Sequence, residues 1–293
     1  MTYLLQFYAA QILFVILRMV PLKASGWVLR RAANIFFFCS PKRRKSASDN
    51  LNIAYGDTLS DAQKGKIVWM SFENGALSIL ELFLIKKIKK SVSNRFSIMG
   101  KESYEKAAAR GKGIIFVASH LGSWEYIGFA AYITGFPTSV IVKKLKNKYL
   151  NKTIDDLRRE INTVPIPKVN AIRQTLSELK KNHGVAVVID QWAGDEGIWI
   201  DFFGKATSTT SLPVRLAKQT GCALIPIYCL RKEIGRYEIQ MLPEVALADG
   251  PDWEIRTTRR LNEILESQIR KYPEQWFWGH RRWKQKPLTI RTV

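Results

Sequence analysis

Cysteine is scarce. The chain of 293 residues has three, Cys39, Cys222 and Cys229. None forms a CxxC pair and an odd number cannot all pair, which argues against a disulfide scaffold and for a reducing compartment. Histidine is as scarce, with three residues, and no His/Cys cluster has metal-ligand spacing. No metal or cofactor is therefore indicated. There is no G-x-S-x-G elbow, and no serine or cysteine reads as an activated nucleophile. Cys222 and Cys229 fall beside or within an apparent core strand and read as inert. Internal repeats and low-complexity linkers are absent. Acidic residues are in short supply, 25 against 46 Lys and Arg, for a formal charge of +21. That excess suits a polyanionic partner: nucleic acid, an anionic bilayer surface or a phosphorylated substrate.

What the chain does have is a greasy beginning. Positions 3–20 are almost wholly apolar or aromatic, interrupted by Gln6, Gln11 and Arg18. About 20 apolar residues span a bilayer, so this run is marginal, and Pro21 ends it. It does not read as a secretory signal, because no cation precedes it. The cations follow: Arg18, Lys23, Arg30, Arg31, then Lys42-Arg43-Arg44-Lys45. A core helix of a soluble domain is one reading. The favoured one is a membrane anchor, inserted or lying in the interface, with its basic flank on the cytoplasmic side. A basic nucleic-acid-binding protein is the competing class. The apolar start and the lack of a recognisable nucleic-acid motif argue against it, and no nucleic-acid partner is expected.

Two regions follow from the patterning. Residues 1–90 read as a helical, membrane-associating region, helical over about 3–85, and Lys86–Lys90 as an exposed charged connection. Residues 91–293 read as an α/β core, continuous with it in one globular unit. Buried strands are expected at Ile114–Ala118, Ser139–Val142, Val185–Ile189 and Leu224–Tyr228. Helices are expected near 123–133, 147–161, 171–181, 211–220 and 252–271. Gly111, Gly135, Gly184 and Gly221 mark helix-to-strand turns where a left-handed cap suits glycine. Alternating strands and helices imply an α/β fold, a mainly parallel central sheet covered by helices. Chemistry in such sheets gathers beyond the strand C-termini, where His120 and Asp190 fall.

His120-Leu121-Gly122-Ser123-Trp124-Glu125 is the most informative stretch. A histidine and a carboxylate five residues apart, where a strand hands over to a helix, can form an oriented general base. Downstream come Ile189-Asp190-Gln191, Phe202-Phe203-Gly204, Thr207-Ser208-Thr209-Thr210 and a closing Trp276-Phe277-Trp278-Gly279-His280-Arg281-Arg282-Trp283-Lys284. Upstream lie Lys42-Arg43-Arg44 and Asp49-Asn50-Leu51. In this order and spacing, over nearly the whole chain, the sequence resembles the bacterial late acyltransferases of lipid A biosynthesis. These are lauroyl- and myristoyl-transferase-type members of the lysophospholipid acyltransferase superfamily.

The resemblance implies acyl transfer from a thioester, on acyl carrier protein or coenzyme A, to a hydroxyl of a membrane lipid, a lipid A precursor in the first instance. It implies that His120 is the base, Glu125 its acidic partner, Arg158 the functional arginine of the block that begins at Asn147, and Asp190 the aspartate of an Asp-Gln motif. Another glycolipid, aminolipid or lysophospholipid acceptor is the alternative. The chemistry is consistent with this. A hydroxyl needs a base, and thioester attack develops an oxyanion that Arg158 could stabilise, unless it merely pairs with Asp155. Asp190 reads equally as a cap or turn residue. Asn147, Phe203, Gly204, Arg281 and Arg282 are candidate substrate contacts. His183 reads as a helix end, where a cation favours the dipole. His280 reads as part of a Trp/Arg membrane interface or as ordinary packing. With no nucleophile of its own, the chain is expected to transfer the acyl group directly, without an acyl-enzyme.

Overall fold

The computed structural model describes residues 2–195 and 197–284. The last nine residues of the expected 91–293 unit lie outside them.

Helices fill the amino-terminal third: α1 (Thr2–Met19), α2 (Leu22–Phe38), α3 (Pro41–Tyr55), α4 (Asp61–Leu80) and α5 (Ile85–Lys89). Each break has a local cause. Pro21 stands between α1 and α2, where its missing N–H and fixed φ suit a helix start. Ser60 and Gln63 cap α4 reciprocally, satisfying two end donors. The lysine-rich stretch after α4 is not an exposed connection. Residues Glu81–Leu84 form a buried 3₁₀ turn, and α5 buries Ile85 and Ile88. Its lysines have partners too: Lys86 and Lys89 pair with Glu160 at 3.2 and 3.5 Å, and Lys87 donates to Leu17 O at 2.7 Å.

The rest alternates: β1 (Phe96–Met99), α6 (Lys101–Ala109), β2 (Ile114–Ala118), α7 (Gly128–Thr134), β3 (Thr138–Val142), α8 (Lys148–Arg159), β4 (Thr163–Pro167), α9 (Ala171–Lys180), β5 (Gly184–Val188), β6 (Ile198–Phe202), β7 (Lys205–Thr209), α10 (Leu212–Thr220), β8 (Ala223–Glu233), β9 (Arg236–Met241) and α11 (Trp253–Lys271). Seven strands form one sheet in the order β1-β9-β8-β2-β5-β3-β4, and β6-β7 stand apart as a hairpin. Every pairing in the large sheet is parallel except β8 with β9. The expected α/β architecture is present. Of the strands that sequence patterning passed over, β1 and β4 are the sheet edges, β9 lies next to the β1 edge, and β6 and β7 form the hairpin. There burial alternates or is partial, so no continuous apolar run marks them.

β2 is buried at every position, as a covered parallel strand requires. One apolar cluster joins Leu17, Leu29 and Leu77 of the amino-terminal helices to Ile114, Phe116 and Ala118 of β2, so these helices share a core with the sheet. Gly111, Gly135 and Gly221 take the expected left-handed conformation, but Gly184 does not. There the left-handed residue is Asn182, and Gly184 opens β5, where a Cβ would come within 2.7 Å of Phe116 and Thr138.

Candidate active site

β2 and β5 are adjacent, parallel and in register to their last residues, Ala118 opposite Val188. Their chains leave the sheet side by side, and that register places His120 next to Asp190. Asp190 is fully buried and His120 keeps 19% of its side-chain exposure. Asp190 Oδ2 accepts from the His120 backbone N–H at 2.7 Å and Oδ1 lies 2.8 Å from His120 Nδ1. The Trp276 indole also donates to Oδ2, at 2.8 Å. A carboxylate on Nδ1 places the ring proton there and leaves Nε2 as the acceptor.

The electrostatics follow from the pairing. Burial acts to lower the His120 pKa, but the Asp190 carboxylate outweighs it and the net shift is upward. For Asp190, burial acts to raise the pKa. The cationic His120 and its hydrogen bonds override that and hold the carboxyl far below the usual range.

Glu125 does not occupy the place expected of it. Its two oxygens are taken by Arg158, Nε to Oε2 at 2.9 Å and Nη2 to Oε1 at 2.7 Å, a bidentate pair. No hydrogen bond joins Glu125 to His120 among the described residues. The physical reason is the segment between them. Gly122, at φ +68, reverses the chain, and Trp124–Ile127 form a 3₁₀ turn that carries Glu125 toward α8. Trp124, not Glu125, meets the His120 ring, at 5.0 Å between centroids. Arg158 also reaches Asp155, at 3.3 Å, the ion pair that their spacing allowed.

The loop after His120 is clamped from several sides. Gly122 N–H donates to Gln275 O at 2.9 Å and Ser123 N–H to Cys229 O at 2.7 Å. Ser78 Oγ and Asn74 Nδ2 donate to Gly122 O at 2.7 and 3.2 Å. A Cβ on Gly122 would fall 2.1 Å from Cys229 O. Gly122→Ala is therefore expected to cost at least about 1–2 kcal/mol from the left-handed backbone, with the clash added. Thermal unfolding of the purified variant checks it, and an unchanged midpoint would contradict this account.

Beneath the loop lies a charged group that sequence reading missed. Glu81 is fully buried and accepts from Arg231 Nε and Nη2 at 2.8 and 2.6 Å, from Ser123 Oγ at 3.0 Å and from the Tyr237 hydroxyl at 2.8 Å. The available signal was a lone carboxylate inside the apolar run Leu80–Ile85. A buried charge in such a run requires a partner.

His280 also joins the site. Its ring lies 4.6 Å from that of His120. The Gln191 side-chain nitrogen sits 3.3 Å from His120 Nε2 and 3.5 Å from His280 Nε2. Burial, reinforced by the charge of His120, lowers the His280 pKa to about 3, so it stays neutral. Asn50, from the noted Asp-Asn-Leu stretch, holds this segment by donating to Trp278 O at 2.8 Å and His280 O at 2.7 Å.

The other candidates are dispersed. Arg282 is fully buried, with Nη1 donating to Gln191 O at 2.8 Å and Ser208 O at 2.9 Å, and Nη2 to Thr209 Oγ1 at 2.8 Å. Burial lowers its pKa to about 10. These bonds fasten the Asp190-Gln191 loop to β7, which is a positioning task, and a guanidinium so enclosed is not open to a headgroup. Arg281 beside it is exposed. Phe203 and Gly204 turn the β6–β7 hairpin in left-handed conformations. Phe203 packs on Tyr55, Trp278 and Trp283, away from the His120 ring. Asn147 is the N-cap of α8, accepting from Tyr149 N at 3.1 Å and Leu150 N at 3.3 Å. His183 closes α9, 2.8 Å from Glu178, as its position implied. Cys222 and Cys229 are buried and burial raises both thiol pKa values, leaving little thiolate.

The model of the bacterial lipid A biosynthesis acyltransferase family matches residues 1–285. The chain belongs to that family. Its relatives include the lipid A biosynthesis acyltransferase of Haemophilus influenzae, 26% identical over 192 residues, 65% of this chain and 59% of that protein. The phosphatidylinositol mannoside acyltransferase of Mycolicibacterium smegmatis is 25% identical over 59% of this chain and 57% of its own length. The lipid A biosynthesis palmitoleoyltransferase of Escherichia coli is 25% identical over 84% of this chain and 81% of its own. The family member described here thus spans a little under three fifths of the length of the first two. The His120 dyad lies inside the stretch matched by the family model.

Proposed function

We propose that the chain is a membrane-associated O-acyltransferase. It moves a fatty acyl group from an acyl thioester, on acyl carrier protein or coenzyme A, to a hydroxyl of a lipid A precursor. Family membership supports the acyltransferase reading. The observation that carries the mechanism is the Asp190–His120 pair at the open edge of the sheet, with Nε2 left as the acceptor. His120 removes the hydroxyl proton as the oxygen attacks the thioester carbon. The C–S bond then breaks and the imidazolium returns the proton to the thiolate. Asp190 fixes the ring and stabilises its charged form. The Gln191 amide is the side-chain donor nearest the base and the natural group to meet the developing oxyanion. Glu125 and Arg158 hold the loop and α8 in place rather than touching the ring.

Direct transfer is supported by the serines flanking His120. Ser123 Oγ is committed to Glu81, and the buried Ser119 hydroxyl makes no hydrogen bond to the ring. No Ser, Thr or Cys side chain is hydrogen-bonded to His120 among the described residues. The phosphatidylinositol mannoside acyltransferase relative favours a second reading, the same chemistry on a different glycolipid acceptor. Lipid mass spectrometry of a deletion strain separates the two, since the species that loses an acyl chain is the acceptor. The apolar, exposed face of α1 and the net charge of +21 support a place on the cytoplasmic face of the inner membrane.

The pairing fixes the sign of the pH dependence. The base must be neutral, and Asp190 raises its pKa above about 6.5, so kcat is expected to fall on the acid side through a midpoint above that value. In Asp190→Asn the raising charge is gone and burial dominates, so the midpoint moves to lower pH. A pH–rate profile of both proteins checks this, and an unmoved acid limb would contradict the pairing.

A further inference from the structure

We infer that α1 does not cross the bilayer but lies along an anionic membrane surface, its outer face sunk into the interface. This rests on the membrane-lipid reading above and specifies how the protein sits on that membrane.

α1 has two apolar faces. The inner one packs: Leu17 is buried, and Leu13 and Phe14 rest on the core cluster. The outer one carries Leu5, Tyr8, Ile12, Val15 and Met19, each more than half exposed. At 3.6 residues per turn these five fall within an arc of about 80°. Only Leu17 of α1 is buried, and Tyr3, Leu4 and Ile16 are exposed as well, so outside its packed side the helix offers a broad apolar surface that suits immersion along its length.

The ties to the rest of the chain decide the orientation. Asn147 Nδ2 donates to Tyr3 O at 2.9 Å and to Gln6 Oε1 at 3.2 Å. Gln11 Nε2 donates to Thr153 Oγ1 at 3.3 Å. Lys87 Nζ donates to Leu17 O at 2.7 Å and also to Val20 O. From Tyr3 to Leu17 the helix rises about 21 Å, against a hydrocarbon core of about 30 Å. The Asn147 and Thr153 contacts run in step along α1 and α8, so the two helices lie side by side, while Lys87 of α5 ties the end of α1. If α1 stood upright, α8 would be drawn in beside it. Asp155 and the Lys152–Asp156 pair, 2.6 Å apart, would then sit at mid-bilayer depth. Charged groups there are strongly disfavoured. With α1 flat, α8 and its charges remain on the water side.

Cations flank both ends of the stripe, which an anionic surface complements. Lys146 and Lys148 are exposed beside the first turns, with Leu145 and Tyr149 exposed before and after them. At the other end Arg18 lies over the Phe14 ring at 5.3 Å, and Arg31 over Trp27 at 5.3 Å. α8 carries Arg158, which holds Glu125, so a flat α1 sets the membrane beside the loop that presents His120.

The test uses the full chain with Cys39→Ser, the other cysteines being buried. Nitroxide labels at Leu5→Cys, Ile12→Cys and Met19→Cys report depth in vesicles of phosphatidylethanolamine and phosphatidylglycerol. Equal, shallow depths at all three are expected; a steady progression through the midplane overturns the proposal. Thr2→Cys in intact spheroplasts should resist an impermeant thiol reagent until the membrane is opened, and labelling of intact cells overturns it too. Partition into pure phosphatidylcholine vesicles should weaken by at least about tenfold, given the cations involved; equal partition refutes the anionic preference. Depth is read without any transferase assay. A flat helix in an inactive protein would count against the enzymatic reading alone, and an upright helix in an active one against the orientation alone.

Discussion

Replacing His120 by alanine is expected to lower acyl transfer by roughly 10²- to 10⁴-fold, the range in which a positioned general base contributes. The loss should fall on kcat with little change in KM, because the ring acts on the proton as the transition state forms. The assay is transfer from an acyl thioester to a lipid A precursor by purified protein in detergent. Undiminished transfer would sink the assignment of the base. Asp190→Asn is the more discriminating variant, since it keeps the shape and removes the charge. In a serine-protease triad the equivalent exchange lowers kcat about 10⁴-fold by favouring the wrong tautomer. Here Asp190 accepts from both the His120 backbone and its ring, so a loss of similar order is expected. A full-rate Asp190→Asn protein would hand the orienting role back to Glu125, against the bidentate grip of Arg158 on that residue.

The largest loss of stability is expected from Glu81→Ala. Glu81 is fully buried, Arg231 keeps 7% of its side-chain exposure, and Arg231 also reaches Asn74 and Ser78. Removing one partner strands the other charge without solvent, a cost of about 3–5 kcal/mol. Denaturant unfolding followed by circular dichroism measures it. Replacing both partners, as Glu81→Leu with Arg231→Met, removes both desolvation costs and should recover much of the loss. If the double variant is no more stable than the single ones, packing rather than charge accounts for the effect. Transfer should fall as well, because Ser123 loses its acceptor in the loop that presents His120.

Both expectations concern contacts between residues far apart in the chain, and that separation bears on what could be foreseen. His120 and Asp190 are 70 residues apart, and each was visible as a polar residue after a buried strand. Their contact required that β2 and β5 be neighbours, which a strand pattern does not specify. Glu125 drew attention because it is close in sequence. One positive-φ glycine and a 3₁₀ turn send its side chain elsewhere. His280 lies 4.6 Å from His120 only because the carboxyl-terminal segment folds back, held by Asn50.

The sequence by itself determined the alternation of strands and helices, the apolar start, the positive charge and the ordered motifs by which it resembles its family. These are local properties, set by side-chain periodicity, backbone preference and composition, and each can be read within a short window. Only the tertiary structure decided which carboxylate meets the imidazole, that Arg282 is a buried strut, that Glu81 and Arg231 support the loop, and that α1 is tied alongside α8. Each of those depends on strand order and on a few turns whose geometry is settled by packing. Partners 70 to 150 residues apart leave no periodic trace in the sequence.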